Sequence, residues 1–239
     1  MSEADVIWHD AECGHYRADK RLWRELAAAA DGSVLDVGAG TGRVALDLAA
    51  CGHDVTALDH DPALLSALHA RAGGLAVSTV VADARTFALE CRFALILVPM
   101  QTVQLLPHAA DRGAFLRCAR AHLEPGGRLA AALADPFEGF DAEHTEPPRP
   151  DVAHHGGVSY SSQAVAVRDE GDAMVIERIR RTVAADGSHT AAPDVVRLAR
   201  LDAGTLEREG LGAGLRVHPR RRVEATDEHV GSVVVVLGA

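Results

Sequence analysis

The sequence predicts an α/β fold built on an open, mostly parallel sheet, and three observations carry that reading. A short apolar run, Val34-Leu35-Asp36-Val37, breaks into Gly38-Ala39-Gly40-Thr41-Gly42 and continues from Arg43 in a helical pattern. The run is too short for a helix and reads as a buried parallel strand. Strand-length apolar runs then alternate with helical patterns through residues 33–123, the order of βαβ units with right-handed crossovers. Nearly half of the chain is hydrophobic and few residues are aromatic, so the core must be aliphatic.

The spacing of the glycine turn narrows its ligand. Strand, glycine turn and helix start together make a nucleotide-type site at the carboxyl edge of such a sheet. Glycines let the backbone approach a ligand with no Cβ in the way, and the helix start offers unpaired N–H groups. A dinucleotide fingerprint puts its third glycine five positions after the first. Here that position is Arg43, and the third glycine, Gly42, comes one residue early. No Gly-Lys-Ser/Thr closes the turn, so it is not a P-loop. Asp36 on the strand is a poor neighbour for a pyrophosphate and a good one for a cation.

Further landmarks follow in order. His53 to Leu58 reads as a second strand ending in Asp59, close to the usual distance at which an acid meets a ribose diol. Asp61-Pro62 starts a helix, with Asp as N-cap and Pro at the first position. Leu75 to Val81 is a third strand, ending in Ala82-Asp83-Ala84. Phe93 to Val98 is a fourth, ending in Pro99-Met100-Gln101. His122-Leu123-Glu124-Pro125-Gly126-Gly127 leads into a fifth, Arg128 to Ala134.

Asp-x-Gly-x-Gly-x-Gly, the acids at strand tips two and three, and the Leu-x-Pro-Gly-Gly approach to strand five resemble the class I S-adenosylmethionine-dependent methyltransferases of small-molecule type. The resemblance is close over residues 16–135 and loose beyond. It implies a Rossmann-like, seven-stranded, mostly parallel sheet with an antiparallel last strand, and an antiparallel β insertion after strand five. It implies one methyltransferase domain over residues 1–239, with a lid and helix region at 1–30 and the insertion at about 135–200. The implied cofactor is S-adenosyl-L-methionine. Its site residues, carried over by motif, are Tyr16, Asp36, Gly38, Ala39, Gly40, Gly42, Asp59, His60, Asp83, Ala84, Pro99, Met100 and Gln101. Asp36 would orient the turn and meet the ammonium, Asp59 the ribose and Asp83 the adenine amino group. A dehydrogenase-like or non-catalytic Rossmann domain is the competing interpretation.

Segments outside that core add detail. Residues 5–16 hold Trp8 and Tyr16 and read either as a lid whose aromatic meets the cofactor or as an arm stapled to the body. Asp19 to Ala30 reads as a helix with Leu22, Trp23, Leu26 and Ala27 on one face. Asp135-Pro136-Phe137-Glu138 and the polar, proline-rich stretch 141–157 follow strand five, too long for an idle connector. Val158 to Val167, Ala173 to Val183 and about Ala192–Ala199 then form an antiparallel meander. It is read as a platform over the substrate, a homodimer surface or a solvated face. Asp202 caps a short helix, and Leu215 to Val223 pairs with Gly231 to Leu237. Arg216, Arg220, Arg221 and Arg222 lie near Glu224, Asp227 and Glu228 and read as a solvated edge.

Composition excludes several classes. A net charge of −10 argues against a nucleic-acid partner, because phosphate contacts need Lys and Arg. The four cysteines, Cys13, Cys51, Cys91 and Cys118, form no C-x-x-C pair, so no metal site or disulfide framework is expected. Cys51 and Cys118 fall on predicted helices and read as buried small hydrophobes. There is no secretory h-region at residues 1–9 and no membrane-length run, so a cytoplasmic setting is the expectation.

The chemistry expected is SN2 methyl transfer to N or O of a small-molecule acceptor. Val98-Pro99-Met100-Gln101 stands where amino-methylating base enzymes carry Asn/Asp-Pro-Pro-Tyr, so base methylation loses ground. An acceptor must lose a proton, and Asp135, His154 and His155 are the candidate bases. The alternatives are an enzyme acting on RNA or protein and a non-catalytic cofactor-binding protein.

Overall fold

The computed structural model describes residues 3–134, 148–226 and 229–239. Its helices are α1 (Glu3–Cys13), α2 (Lys20–Ala28), α3 (Ala45–Ala50), α4 (Pro62–Arg71), α5 (Ala109–Ala121) and α6 (Ala203–Gly212). Its strands are β1 (Val34–Val37), β2 (Val55–Asp59), β3 (Val77–Val81), β4 (Phe93–Val98), β5 (Leu123–Leu133), β6 (Asp151–His155), β7 (Val158–Asp169), β8 (Ala173–Val183), β9 (His189–Ala199), β10 (Arg216–Val223) and β11 (Ser232–Gly238).

Seven strands form the main sheet in the order β10-β11-β5-β4-β1-β2-β3. β1 pairs in parallel with β2 and β4, while β11 runs antiparallel to both β5 and β10. The strand order reverses between β1 and β4, and the crevice at their carboxyl ends is where such sheets take ligands. All four residues of β1 are buried, as a strand covered on both faces requires. Leu95, Leu97, Ala130 and Val234 pack with α2 and α3 on one face; Leu35, Ile96, Leu129 and Val235 pack with α5 and α6 on the other.

Local signals explain the ends of elements. The Asp61 side chain accepts the Ala63 N–H at 2.8 Å, and Pro62 opens α4, so the expected cap forms. Asp202 likewise accepts the Thr205 N–H at the start of α6. Cys51 departs from expectation: it caps the six-residue α3 beyond its last buried residue and is exposed. Cys118 is half-buried on α5, and its thiol donates to the Phe87 carbonyl at 2.9 Å.

The insertion is a separate four-stranded antiparallel sheet, β6-β7-β8-β9. Its first strand, β6, falls within the stretch read as a polar loop. Alternation puts Asp151, Tyr160, Ser162, Arg178, Arg180 and Asp194 on one face, and α1 packs against it. Among the described residues no helix is long and apolar enough to cross a membrane.

Candidate cofactor and acceptor site

The glycine turn leaves β1 at the switch point. Gly38, Gly40 and Gly42 all have positive φ (72°, 55° and 94°), the left-handed region that favours glycine. Their missing side chains are also required by packing. A Cβ at Gly38 would lie 2.3 Å from Thr102 Cγ2, and one at Gly40 2.3 Å from His9 Nε2. At Gly42 it would lie 2.7 Å from Leu68 Cγ. The three glycines therefore answer first to the fold of this chain.

Asp36 has no such explanation. It is 1% exposed, and neither carboxylate oxygen makes a well-formed hydrogen bond among the described residues, although the Ala45 backbone N–H lies close enough to favour its charged form. Burial pushes its pKa up to about 7, against the pull of the Arg43 guanidinium. A buried carboxyl without a well-formed hydrogen bond is costly unless a donor or cation meets it. That donor set suits an ammonium-bearing ligand and not a phosphate.

Asp59, at the tip of β2, is buried and accepts the Gly40 N–H at 2.8 Å and the Asp61 N–H at 3.0 Å. It ties the glycine turn to the next strand. An ionised carboxylate has about four lone-pair sites, so two remain for a diol. His60 is exposed, its Nδ1 3.2 Å from the Asp59 carboxylate. Asp83 is engaged differently from the expectation of a free acceptor. Arg85 chelates it at 2.6–3.1 Å and also reaches Asp111 on α5 at 2.9 Å. The side-chain hydrogen bond from Arg85 holds the Asp83 carboxyl low, at about 2. Ala39 is buried, and Ala84 packs on the core beside β3.

The end of β4 forms the opposite lip. Met100 is the one non-glycine residue with positive φ (55°) among the described residues. Such strain persists where surroundings impose it, commonly at ligand sites. Thr102 donates to the Pro99 carbonyl at 2.8 Å, which holds Pro99, Met100 and Gln101 against the glycine turn. Gln104 then bridges the two sheets. Fully buried, it donates to the Ala134 carbonyl at 3.0 Å and the Ala199 carbonyl at 3.5 Å, and accepts the Ala134 N–H at 3.0 Å.

Tyr16 is buried. Arg43 lies over its ring at 5.2 Å, donates to its carbonyl at 3.0 Å and forks onto Asp19 at 2.6 and 2.7 Å. The Tyr16 ring meets His229 edge-on at 4.9 Å between centroids. Asp151 joins this group; burial raises its carboxyl, against the pull of Arg178, which it pairs at 3.2 Å, and of His229.

α1 closes the arrangement from above. Its His9 stands against Gly40, and its Asp10 pairs Arg71 at 2.6 Å and accepts from Thr41 at 2.7 Å. Burial lowers the His9 pKa, against the pull of Asp10 and Asp59. On the other side Glu12 accepts from Ser162 at 2.7 Å and from Arg180 at 2.8 and 2.9 Å. Trp8 meets Tyr160 edge-on at 5.1 Å.

Of the bases named from sequence, Asp135 lies outside the described residues, as do Glu138 and His144. His154 and His155 are exposed at the turn end of the β6–β7 hairpin, away from Asp151, which pairs with Ser162 under α1. His229, Asp151 and Gln104 were missed. His229 and Asp151 reach the site from distant elements, and no local spacing marks them. The burial of Gln104 had no apolar pattern to announce it. Among the described residues no His/Cys/Asp/Glu group is arranged to hold a metal.

A doubly wound sheet with its glycine turn at the switch point and acids on the next two strand tips defines a nucleoside-binding fold of the class I methyltransferase kind. Residues 34–127 match the family described as Methyltransferase domain. It is 33% identical over 129 residues to a ubiquinone biosynthesis O-methyltransferase of Methylobacterium nodulans, covering 52% of this chain and 48% of that one. The chain spans about half the length of the curated relatives it matches. The sugar N-methyltransferase from Streptoalloteichus sp superposes with a TM-score of 0.74, at 21% identity, over 98% of this chain and 92% of its own. An amino pentose methyltransferase from Micromonospora echinaspora, solved with S-adenosylmethionine bound, gives 0.72 at 20% identity over 99% and 97%. At that identity these two likenesses establish the fold.

Proposed function

We propose that this chain is an S-adenosylmethionine-dependent methyltransferase acting on a nitrogen or oxygen of a small-molecule acceptor. The observation that carries the reading is Asp36: a buried carboxyl without a well-formed hydrogen bond, beneath a turn whose spacing rejects phosphates. Asp36 would meet the ammonium directly or through a water, Asp59 the ribose hydroxyls, and Asp83 the adenine once it shares or releases Arg85. Pro99, Met100 and Gln101 would flank the base or the reacting group. When bound, the cofactor supplies an electrophilic methyl on a cationic sulfur.

This chain's part is to align, dry and deprotonate. Alignment of donor and acceptor alone can be worth roughly 7–11 kcal/mol. α1 and the polar face of the second sheet exclude water above the turn, which favours a reaction that disperses charge. The acceptor's proton needs a base, and His229, edge-on to Tyr16, is the candidate we choose among the described residues. The activities of the sugar N-methyltransferase and the ubiquinone biosynthesis O-methyltransferase support an N or O acceptor.

The test has two arms. Calorimetric titration with S-adenosylhomocysteine should show tight binding, weakened tens of fold or more in Asp59→Ala, which loses hydrogen bonds to an ionised acceptor. Circular dichroism of the same variant controls for folding. Tritiated-methyl transfer onto pools of amines, phenols and RNA should label the small molecules. Protein that ignores S-adenosylhomocysteine and binds NAD or ATP instead would overturn the assignment.

A further inference from the structure

Three arginines share one hollow at the edge of the main sheet opposite the glycine turn. Arg92 precedes β4, and Arg117 and Arg120 lie three apart on α5; together with Leu123, Glu124 and Ala213 they line a cavity of about 480 Å³. β1 and β4 are parallel, so the start of β4 and the turn after β1 lie at opposite edges.

None of the three forms an ion pair among the described residues. Arg17, Arg181 and Arg222 also form no ion pair among the described residues, but none of them lines this hollow. Arg24, Arg43, Arg71, Arg85, Arg112 and Arg180 all pair with acids. The net charge is −10, and the acids that line this hollow are Glu124 and the terminal carboxyl of Ala239. The Glu124 carboxylate turns toward Gly32, whose Cβ position lies 3.5 and 3.6 Å from the two oxygens. The carboxyl end of α5 offsets only about half a charge near Arg120.

The guanidiniums are also seated. Arg92 donates to the Leu123 carbonyl at 3.1 Å and Arg120 to the Ala213 carbonyl at 3.4 Å. Two glycines make room for the other contacts. A Cβ at Gly214 would lie 2.7 Å from Arg120 Nη1, and one at Gly113 3.2 Å from Arg117 Nη1. Each guanidinium carries five N–H donors, so most remain free. Converging planar forks of like charge suit a compact oxyanion with acceptors on several sides.

We propose that this hollow is a second ligand site that binds a phosphoryl group, either as free phosphate or as the end of a nucleotide. The site is separate from the glycine turn and stands whether or not the methyl-transfer reading does.

Calorimetry of the full chain at low ionic strength tests it with inorganic phosphate and with ADP as probes. One saturable site is expected, weakening as salt rises. Arg117→Ala and Arg120→Ala should each weaken it about tenfold or more, and Arg117→Lys should recover only part. Gly113→Ala favours the helix and displaces the Arg117 head, so it should weaken phosphate without loss of melting temperature. Affinity for S-adenosylhomocysteine should be unchanged in all four. Equal affinity for both probes points to the free ion, and ADP bound much more tightly points to a nucleotide. Absence of saturation by either probe, or affinity unchanged in the Arg117→Ala/Arg120→Ala double variant, overturns the proposal.

Discussion

The two sheets are held by different forces. In the main sheet β1 and β4 are buried almost throughout, and Leu95, Ile96 and Leu97 are at most 1% exposed. Its stability is the burial of aliphatic area, which is non-directional and tolerant of sequence detail. In the second sheet β9 is mostly exposed, and Val152, Val165, Val183 and Val195 face solvent. What fixes it is polar: Glu12 with Arg180, Arg178 with Asp151, Arg180 with Asp194, and the Gln104 bridge. Only the end near Gln104 is apolar, through Met174, Val175, Leu198 and Ala199. A sheet held by aliphatic burial thus carries the glycine turn, while one held mostly by polar contacts packs against α1.

Core truncation should break this contrast open most widely. Leu97→Ala removes a fully buried side chain and should cost about 2–5 kcal/mol in urea unfolding. Val195→Ala, 59% exposed on the second sheet, should stay within about 0.5 kcal/mol. Similar losses at both positions would mean that the second sheet buries far more than its surface indicates.

Asp36 is the exception inside the aliphatic sheet, and pH exposes it. Its folded pKa of about 7 lies above the ordinary 3.8, so the folded state keeps a proton that the unfolded state releases. Stability without cofactor should therefore fall as pH rises from about 4 to 7 and level off above, a loss of a few kcal/mol from this group. Asp36→Asn should match the parent near pH 4 and exceed it at pH 8, while binding S-adenosylhomocysteine more weakly. Melting curves across that range that run parallel for parent and variant would show that Asp36 is already satisfied.

The same contrast decides what the sequence could reveal. β1 and β4 are read to the residue because buried strands declare themselves as unbroken apolar runs between turn signals. The Asp61-Pro62 helix start is equally local. β6 was hidden because Asp151-Val152-Ala153-His154-His155 has no apolar alternation and follows prolines, and only pairing with β7 makes it a strand. The site divides the same way. Asp36 and Asp59 are marked by distance from the glycine turn. Arg85, which sequesters Asp83, and His229, which meets Tyr16, act through contacts that no local spacing encodes.

The joint between the sheets should give an intermediate effect. Gln104→Leu keeps the bulk but leaves the Ala134 N–H and two carbonyls without their buried partner. The expected cost is about 1–3 kcal/mol. The second sheet should become cleavable by protease within residues 148–199 before the main sheet unfolds. Cleavage that appears only with global unfolding would make the two sheets one cooperative unit.

The smallest effect tests how α1 grips the polar face. Glu12 is 11% exposed on its side chain and Arg180 24%, and Arg180 also lies over the Trp8 ring at 5.4 Å. The Arg180 and Ser162 hydrogen bonds hold the Glu12 carboxyl below its ordinary value, against the opposing effect of burial. This contribution is therefore present above pH 4.5 and is lost as pH falls through the lower folded value. Glu12→Gln should cost about 1 kcal/mol at neutral pH and nothing in acid. A Trp23→Phe background leaves Trp8 as the reporter, because the chain has two tryptophans. On that background Glu12→Gln should shift Trp8 emission to the red at neutral pH, as α1 leaves the second sheet. Emission unchanged by the substitution would mean that contacts with Gly40, Thr41 and Arg71 on the main sheet suffice to seat the helix, and that the polar face adds nothing to its docking.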